Sequence, residues 1–503
     1  MKKILMVPLD ERPCNYGFPS IMPKAGFDVV MPPLELMGLK KRPGKADKIA
    51  EWLLNNVCES DLVILSMDTV IYGGLIPSRL HHDDAETLNG RADVVRKLKK
   101  ARPDLRIFAF QTIMRCPFYS LSDEEPDYYA DYGKEIHAYG KLTDKKKRGL
   151  ISEEENAELL RLEKFIPSDC LKDFETRRKV NLDVLFHTID MVKEGLIESF
   201  VIPQDDSAPF GYTAMDQIVV RDYLKKQRLN NDVLVYPAAD DTGFTMLNKA
   251  VNDYYGYSPK VFVYYASTKG ATVIPSFEDR IIDATVKNQI IAAGMTRVYD
   301  LPSADILLAI NIGGDMLYNA TKEQMIIPYD IERNLCEYVA QIKYALSLGK
   351  IVAVADVAYP TGADHELMEV LRDSDLLLKI HAYASWNTSS NTLGTVLCES
   401  ALYYHGKDDI GNKKFLLHRY YDDVGYCSHT RTFIDVTAVP ENGCTVFKLD
   451  GEHGKCVAAA RTELLRYMKE KYPCLSKYVK DVKVSSPWNR TFEMEFILET
   501  QDL

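Results

Sequence analysis

No apolar run in the 503-residue chain is long enough to cross a bilayer as a helix, which argues against a membrane-spanning protein. The N-terminus, Met1-Lys-Lys-Ile-Leu-Met-Val-Pro-Leu-Asp10, has too short an apolar run for a secretory leader, and Asp10-Glu11-Arg12-Pro13 follows it at once. It reads as the first strand of the fold, and a cytoplasmic location is expected. Excess positive charge is also missing. The formal net charge of −11 argues against a nucleic-acid binder, because phosphate recognition needs concentrated cations. The basic run Lys145–Arg148 sits among acidic helical residues and reads as a solvated face. The ten cysteines contain no Cys-x-x-Cys pair, so they read as reduced residues, with no disulfide framework or zinc site expected. Cys14 and Cys116 follow strand ends and read as small apolar fillers. No Gly-x-Gly-x-x-Gly follows the first strand and no Walker loop occurs, which disfavours dinucleotide or ATP binding. Ser207 lacks a Gly-x-Ser-x-Gly elbow. There is no internal sequence repeat and no low-complexity segment.

What the chain does have is a rhythm of short apolar runs alternating with amphipathic stretches. Strands are expected at Ile4–Leu9, Leu62–Met67, Arg106–Phe110, Phe200–Pro203 and Val233–Tyr236, then at Val261–Tyr265, Ile306–Ile310, Ile351–Ala355 and His381–Ser385. Helical patterns such as Asp47–Asn56, Arg91–Lys100 and Ile331–Leu348 lie between them. This alternation implies an α/β protein with a mostly parallel sheet. The strands are rich in Val, Ile and Leu, as strands buried on both faces are. The number of units favours a (β/α)8-like barrel over residues 1–405, and a doubly wound sheet is the competitor. A charged helical insertion spans about 120–195. Over residues 406–503 the rhythm fades into a small α+β C-terminal domain, with strands expected at Thr430–Val439, Cys444–Leu449 and Thr491–Leu498 and a helix at Cys456–Lys471.

In both architectures ligands gather at the carboxyl ends of parallel strands, and that is where acids and amides concentrate here. The first strand delivers Asp10, Glu11 and Arg12; the second, Asp68, then Tyr72-Gly73-Gly74 and Arg79; the third, Gln111 and Arg115. The fourth ends in Gln204-Asp205-Asp206, and the fifth leads to Asp240 and Asp241. Later strands end near Asp315, Asp356 and the run Trp386-Asn387-Thr-Ser-Ser-Asn391. A lone polar residue after a strand is commonly a helix cap. Asp205-Asp206 stands out because it lies between a strand of buried character and a Pro-x-Gly turn that opens a helix. Adjacent carboxylates cannot both ionise easily, so one keeps a proton to donate while its neighbour holds charge. Aromatic surface such as Trp386 suits a sugar ring, with Asn and Asp holding hydroxyls. His81-His82-Asp83-Asp84 reads as a solvated loop and His365 as a packed residue. An oxygen-only Mg²⁺ or Ca²⁺ site built on Asp10, Asp205, Asp206 and Asp240 is an open alternative.

The motifs Pro8-Leu-Asp-Glu-Arg-Pro13, Asp68-Thr-Val-Ile-Tyr-Gly-Gly74, Gln204-Asp-Asp-Ser-Ala-Pro-Phe-Gly211 and Trp386-Asn-Thr-Ser-Ser-Asn-Thr-Leu-Gly394 resemble those of the bacterial family called domain of unknown function 4127. The Asp-Asp pair after the fourth strand, with the late Trp-Asn-x-x-x-Asn run, is also similar to the O-GlcNAcase-type β-N-acetylhexosaminidase barrels. That second resemblance implies Asp205 as the acetamide polariser, Asp206 as the general acid, and Asn387 and Asn391 as sugar contacts.

The expectation is a glycoside hydrolase releasing terminal β-linked N-acetylhexosamine (GlcNAc or GalNAc) by a substrate-assisted route. Asp205 and Asp206 are the catalytic pair. Asp10, Arg12, Asp68, Tyr72, Arg115, Asp240, Asp241, Asp315, Asp356, Trp386, Asn387 and Asn391 are the substrate-binding candidates. No cofactor or metal is required, and the partner is a small-molecule or oligosaccharide substrate, with neither nucleic acid nor membrane involved. The alternatives are a divalent-metal hydrolase using the same acidic rim and a non-catalytic carbohydrate-binding protein.

Overall fold

A computed structural model describes residues 1–316 and 322–503, the latter with side chains from 324 onward. The chain is α/β and forms two compact units. One comprises residues 1–11, 27–246 and 277–280; the other comprises 12–26, 247–276 and 281–503.

The first unit is built on β1 (Lys2–Val7), β2 (Phe27–Val30), β3 (Leu62–Ser66), β4 (Arg106–Phe110), β5 (Ser199–Gln204) and β6 (Val233–Pro237). They form one parallel sheet in the order β2-β1-β3-β4-β5-β6. Every residue of β3 is buried, which explains its unbroken Leu-Val-Ile-Leu-Ser sequence: a parallel strand covered on both faces has no polar side. Between β4 and β5 the chain makes three helices, Tyr129–Lys147, Glu153–Phe165 and Ser168–Lys193. Ser152 starts the middle one with a reciprocal cap to Glu155. These helices pack around an apolar cluster that includes Tyr129, Ile136, Leu162 and Phe174, joined by Tyr212 from beyond β5.

The second unit contains β7 (Lys260–Tyr265), β8 (Thr296–Val298), β9 (Ile306–Asn311), β10 (Ile351–Asp356) and β11 (Ala382–Ala384), again all parallel, in the order β11-β10-β9-β7-β8. Read from β8, this is the same sequence of steps as in the first five strands of the other sheet: the second strand of each unit pairs outside the first, and the third pairs on its other side. Each sheet therefore reverses direction once, between β1 and β3 and between β7 and β9. Such reversals open a crevice at the strands' carboxyl ends. The strand pairings give sheets of six and five strands and do not by themselves close an eight-stranded barrel.

An antiparallel hairpin of β12 (Val479–Ser485) and β13 (Glu495–Thr500) joins the second unit. Val482 and Phe496 from this hairpin, with Val457, Leu464 and Met468 of the helix Lys455–Lys471, share one apolar core with Leu307, Val352 and Tyr383. Two expected strands are not formed. Most of Thr430–Val439 is helical, as Arg431–Val436 and Ala438–Glu441, and Cys444–Leu449 is a turn held by a Thr445–Lys448 bridge. The β-branched residues of the first run favoured extended chain, but Ile434, Ala438 and Val439 all bury into the shared core from helical backbone.

Candidate functional site

The carboxyl ends of the first sheet carry the densest chemistry. After β3, Ser66 Oγ accepts the backbone N–H of Thr69 at 3.3 Å and caps the helix Met67–Tyr72. Thr69 Oγ1 reaches back to the carbonyls of Pro8 and Leu9, both at 2.7 Å, tying this helix to the turn after β1 that carries buried Asp10. Asp68 is buried and accepts the backbone N–H and the hydroxyl of Thr112, each at 3.0 Å. Burial outweighs those bonds and the nearby Arg79 charge, and its carboxyl is pushed up to about 7.

The helix stops at Gly73, whose φ of +84° is the left-handed end that glycine adopts without strain. Its backbone carbonyl accepts the Gly44 N–H at 2.8 Å, and a Cβ would lie 2.6 Å from the Gly44 nitrogen. Gly73→Ala is therefore expected to cost more than about 2 kcal/mol, from backbone strain and overlap together, read as a drop in urea midpoint. An unchanged midpoint would show that this turn can open.

The centre of the site is a lattice of two guanidiniums and four carboxylates. Arg79, 1% exposed in its side chain, contacts Asp205 Oδ2 at 2.6 Å, Glu125 Oε1 at 3.2 Å and Glu124 Oε2 at 3.3 Å. Arg115 contacts Glu125 at 2.8 Å, Glu124 at 2.9 Å, Asp206 Oδ2 at 3.1 Å and the Tyr119 hydroxyl at 2.9 Å. Burial opposes charge on Arg115, but Glu125 and Glu124 outweigh it and hold its guanidinium firmly protonated. Asp205 and Asp206 lie just past β5. Burial raises both carboxyls; in Asp205 the Asp206 charge adds to the rise, and the two arginines oppose it in each. Asp206 sits at φ +44°, a strained setting that aspartate tolerates better than most residues. Their side chains keep 12% and 21% of their surface open and Glu124 keeps 16%, whereas Glu125 keeps none, so an incoming group meets the two aspartates and Glu124.

Of the sequence-derived candidates, Asp205, Asp206 and Arg115 come into one cluster. Asp10, Asp68, Tyr72, Asp240 and Asp241 follow strands of the same sheet and are buried. Asp241 Oδ1 accepts the Ala239 N–H at 3.2 Å. Glu124 and Glu125 were not expected. They lie in the acidic run Asp123-Glu-Glu125, which reads as part of the charged insertion, and only the fold reveals that one of them is wholly buried.

The remaining candidates, Arg12, Asp315, Asp356, Trp386, Asn387 and Asn391, belong to the second unit. Arg12 lies over the Trp488 ring, 4.9 Å from its centroid. Asp315 is exposed and accepts the Met316 N–H at 2.8 Å. Trp386 packs edge-on to Phe18 and gives its indole N–H to Thr395 Oγ1 at 3.1 Å, while Asn387 takes a left-handed φ of +50°. Asn391 lies in the first turn of the helix Ser389–Gly406, its N–H bonded to the Thr388 cap at 3.3 Å. The Trp386–Asn391 run is thus well explained as a helix start packed on a core.

Asp356 is more distinctive. It accepts from Asn311 Nδ2 at 2.9 Å, the Asp364 N–H at 2.8 Å and the Tyr383 hydroxyl at 3.0 Å, while Arg333 pairs with Asp364. Burial, then the Asp364 charge, lifts the Asp356 carboxyl from 3.8 to about 7 despite those bonds. A carboxyl raised in the folded state contributes stability below its ordinary value and loses it as pH rises through the raised one. Asp356→Asn should therefore gain on the wild type, whatever its absolute stability, as pH rises from 3.8 to about 7. Melting temperatures across that window check it; parallel curves would contradict it.

Fold and site together define a parallel α/β protein with an acid–guanidinium centre at the strand ends of its first sheet. The chain belongs to the family described as Protein of unknown function (DUF4127), whose model matches residues 4–497. No curated protein matches it.

Proposed function

We propose that the protein is a glycoside hydrolase that releases a terminal β-linked N-acetylhexosamine, with Asp206 as general acid/base and Asp205 orienting the substrate's acetamide. The observation carrying this reading is the pair itself: adjacent, partly open carboxyls after β5, both raised by burial, each held by a different arginine. Asp206 is the more open of the two side chains, 21% against 12% for Asp205, and so the better placed to reach a leaving group. Asp206 gives its proton to the glycosidic oxygen as the C1–O bond breaks, and the acetamido oxygen bonds to C1. Water then attacks C1, losing a proton to Asp206, and the C1–O bond to the acetamido oxygen breaks, which restores the acetamide and frees the sugar. The order of roles is the one that the resemblance of the Asp-Asp motif to O-GlcNAcase-type enzymes implies, by analogy.

Arginines occupy the gaps between these carboxylates. Among the described residues, the group of His, Cys, Asp or Glu ligand atoms gathered within 4.8 Å is Cys444, Asp450 and Cys456, which does not include them, so acid/base chemistry is preferred over a metal-dependent hydrolase. The reading places the enzyme in the cytoplasm, in keeping with ten unbridged cysteines and the lack, among the described residues, of a helix long and apolar enough to cross a membrane. Release of the aryl alcohol from aryl N-acetyl-β-glucosaminides and galactosaminides tests it. No turnover of either, or turnover surviving replacement of both aspartates, would reject it.

A further inference from the structure

The segment between the helices Ala438–Glu441 and Lys455–Lys471 has no regular structure beyond its Thr445–Lys448 bridge. Three side chains converge there. The ligand atoms of Cys444, Asp450 and Cys456 all lie within 4.8 Å of one another, with Cys456 buried, Cys444 half-buried and Asp450 exposed. We propose that these residues form a binding site for a borderline-soft divalent cation of the zinc type, clamping this loop onto the start of the following helix.

Geometry and donor chemistry both point that way. Two thiolates bound tetrahedrally at about 2.3 Å from zinc stand about 3.8 Å apart, so the three atoms need only a small closure. Cys444 contacts the Asn442 carbonyl and Cys456 the Ala438 carbonyl, both at 3.5 Å, and Cys456 also bonds to Cys444 and Asp450. Burial and these neighbours push the Cys456 thiol up to about 12, and a cation between the three groups offsets that by taking the place of the proton. Asp450 is already oriented: its oxygens accept the N–H groups of Lys455 at 2.6 Å and Cys456 at 3.2 Å, and each oxygen keeps a lone pair. The loop is braced from outside by Asn489, whose Oδ1 accepts the Gly451 N–H at 2.9 Å. Two sulfurs with one carboxylate select zinc or a similar ion over Mg²⁺ or Ca²⁺, which prefer oxygen alone. Binding releases two thiol protons and leaves a fourth position for water.

The test is cobalt uptake by the full-length, chelator-stripped and reduced protein. About one equivalent of Co²⁺ should produce a thiolate-to-cobalt charge-transfer band that added Zn²⁺ removes. Cys444→Ser and Cys456→Ser should each abolish the band, and Asp450→Asn should weaken uptake about 10-fold. Circular dichroism shows whether each variant folds. Cys456 is buried, so half-buried Cys444 carries the decision if Cys456→Ser fails to fold. A wild type without the band, or a band that persists in folded Cys444→Ser, overturns the proposal. So does a Cys444–Cys456 disulfide found by mass spectrometry in protein that binds no cobalt once reduced.

Discussion

Replacing Asp206 by asparagine is expected to lower kcat on an aryl N-acetyl-β-hexosaminide by about 100- to 10,000-fold, the range over which a positioned general acid acts. The loss should be smallest for the most acidic phenol, which leaves with little protonic help. Asp205→Asn should instead cost about the same on every leaving group, because orienting the acetamide precedes departure of the aglycone. The pH profiles separate the roles again. Asp206 must be protonated for the first step, and its burial raises its carboxyl, so the alkaline limb of the wild type should lie above the ordinary carboxylate range. Asp205→Asn removes a neighbouring negative charge and frees Arg79 to act on what remains, and both changes move that limb to lower pH. Equal losses on all leaving groups in both variants would reject the division of labour.

Arg79→Ala is expected to destabilise the protein by about 3–5 kcal/mol near neutral pH, the cost of leaving a buried carboxylate without its partner. Arg79 touches Asp205, Glu124 and Glu125, and Glu125 has no exposed surface through which water can take over. The penalty should shrink as pH falls, since Asp205, already raised by burial, becomes neutral and no longer needs a countercharge. Adding Asp205→Asn to Arg79→Ala should recover part of the loss, a coupling that urea denaturation of the four proteins in the cycle measures. A penalty of the same size at every pH would mean that lost packing of the long arginine stem dominates, not an unpaired charge.

The buried strands are legible because a parallel strand covered on both faces is apolar up to its carboxyl end, as β3, β9 and β10 are before Ser66, Asn311 and Asp356. Two of the parallel strands are not: β2 and β8, of four and three residues, both at sheet edges and both partly exposed. They lack the apolar run that marks the others, yet they are the strands whose placement makes each sheet reverse. A count of central strands therefore suits one barrel as well as two sheets. Within the site, Asp205 and Asp206 are legible from position alone, following a buried strand and preceding a helix. Arg79 is visible as a residue after a strand end, but its partners Glu124 and Glu125 lie some forty-five positions away in a run whose composition signals solvent. The Trp386–Asn391 run shows the opposite hazard: residue types fitted for holding a sugar also serve to start a helix.

Neither unit is one continuous stretch of chain: the first recruits residues 277–280 after a long passage through the second. Arg280 Nη2 and Asp279 Oδ2 from that returning piece bind the side chain of Gln204, the residue immediately before the aspartate pair, at 2.8 and 3.4 Å. A nascent polypeptide must consequently emerge from the ribosome as far as residue 280 before the floor beneath those aspartates is complete. A gene fragment ended at residue 246 would encode the entire first sheet and still lack this support.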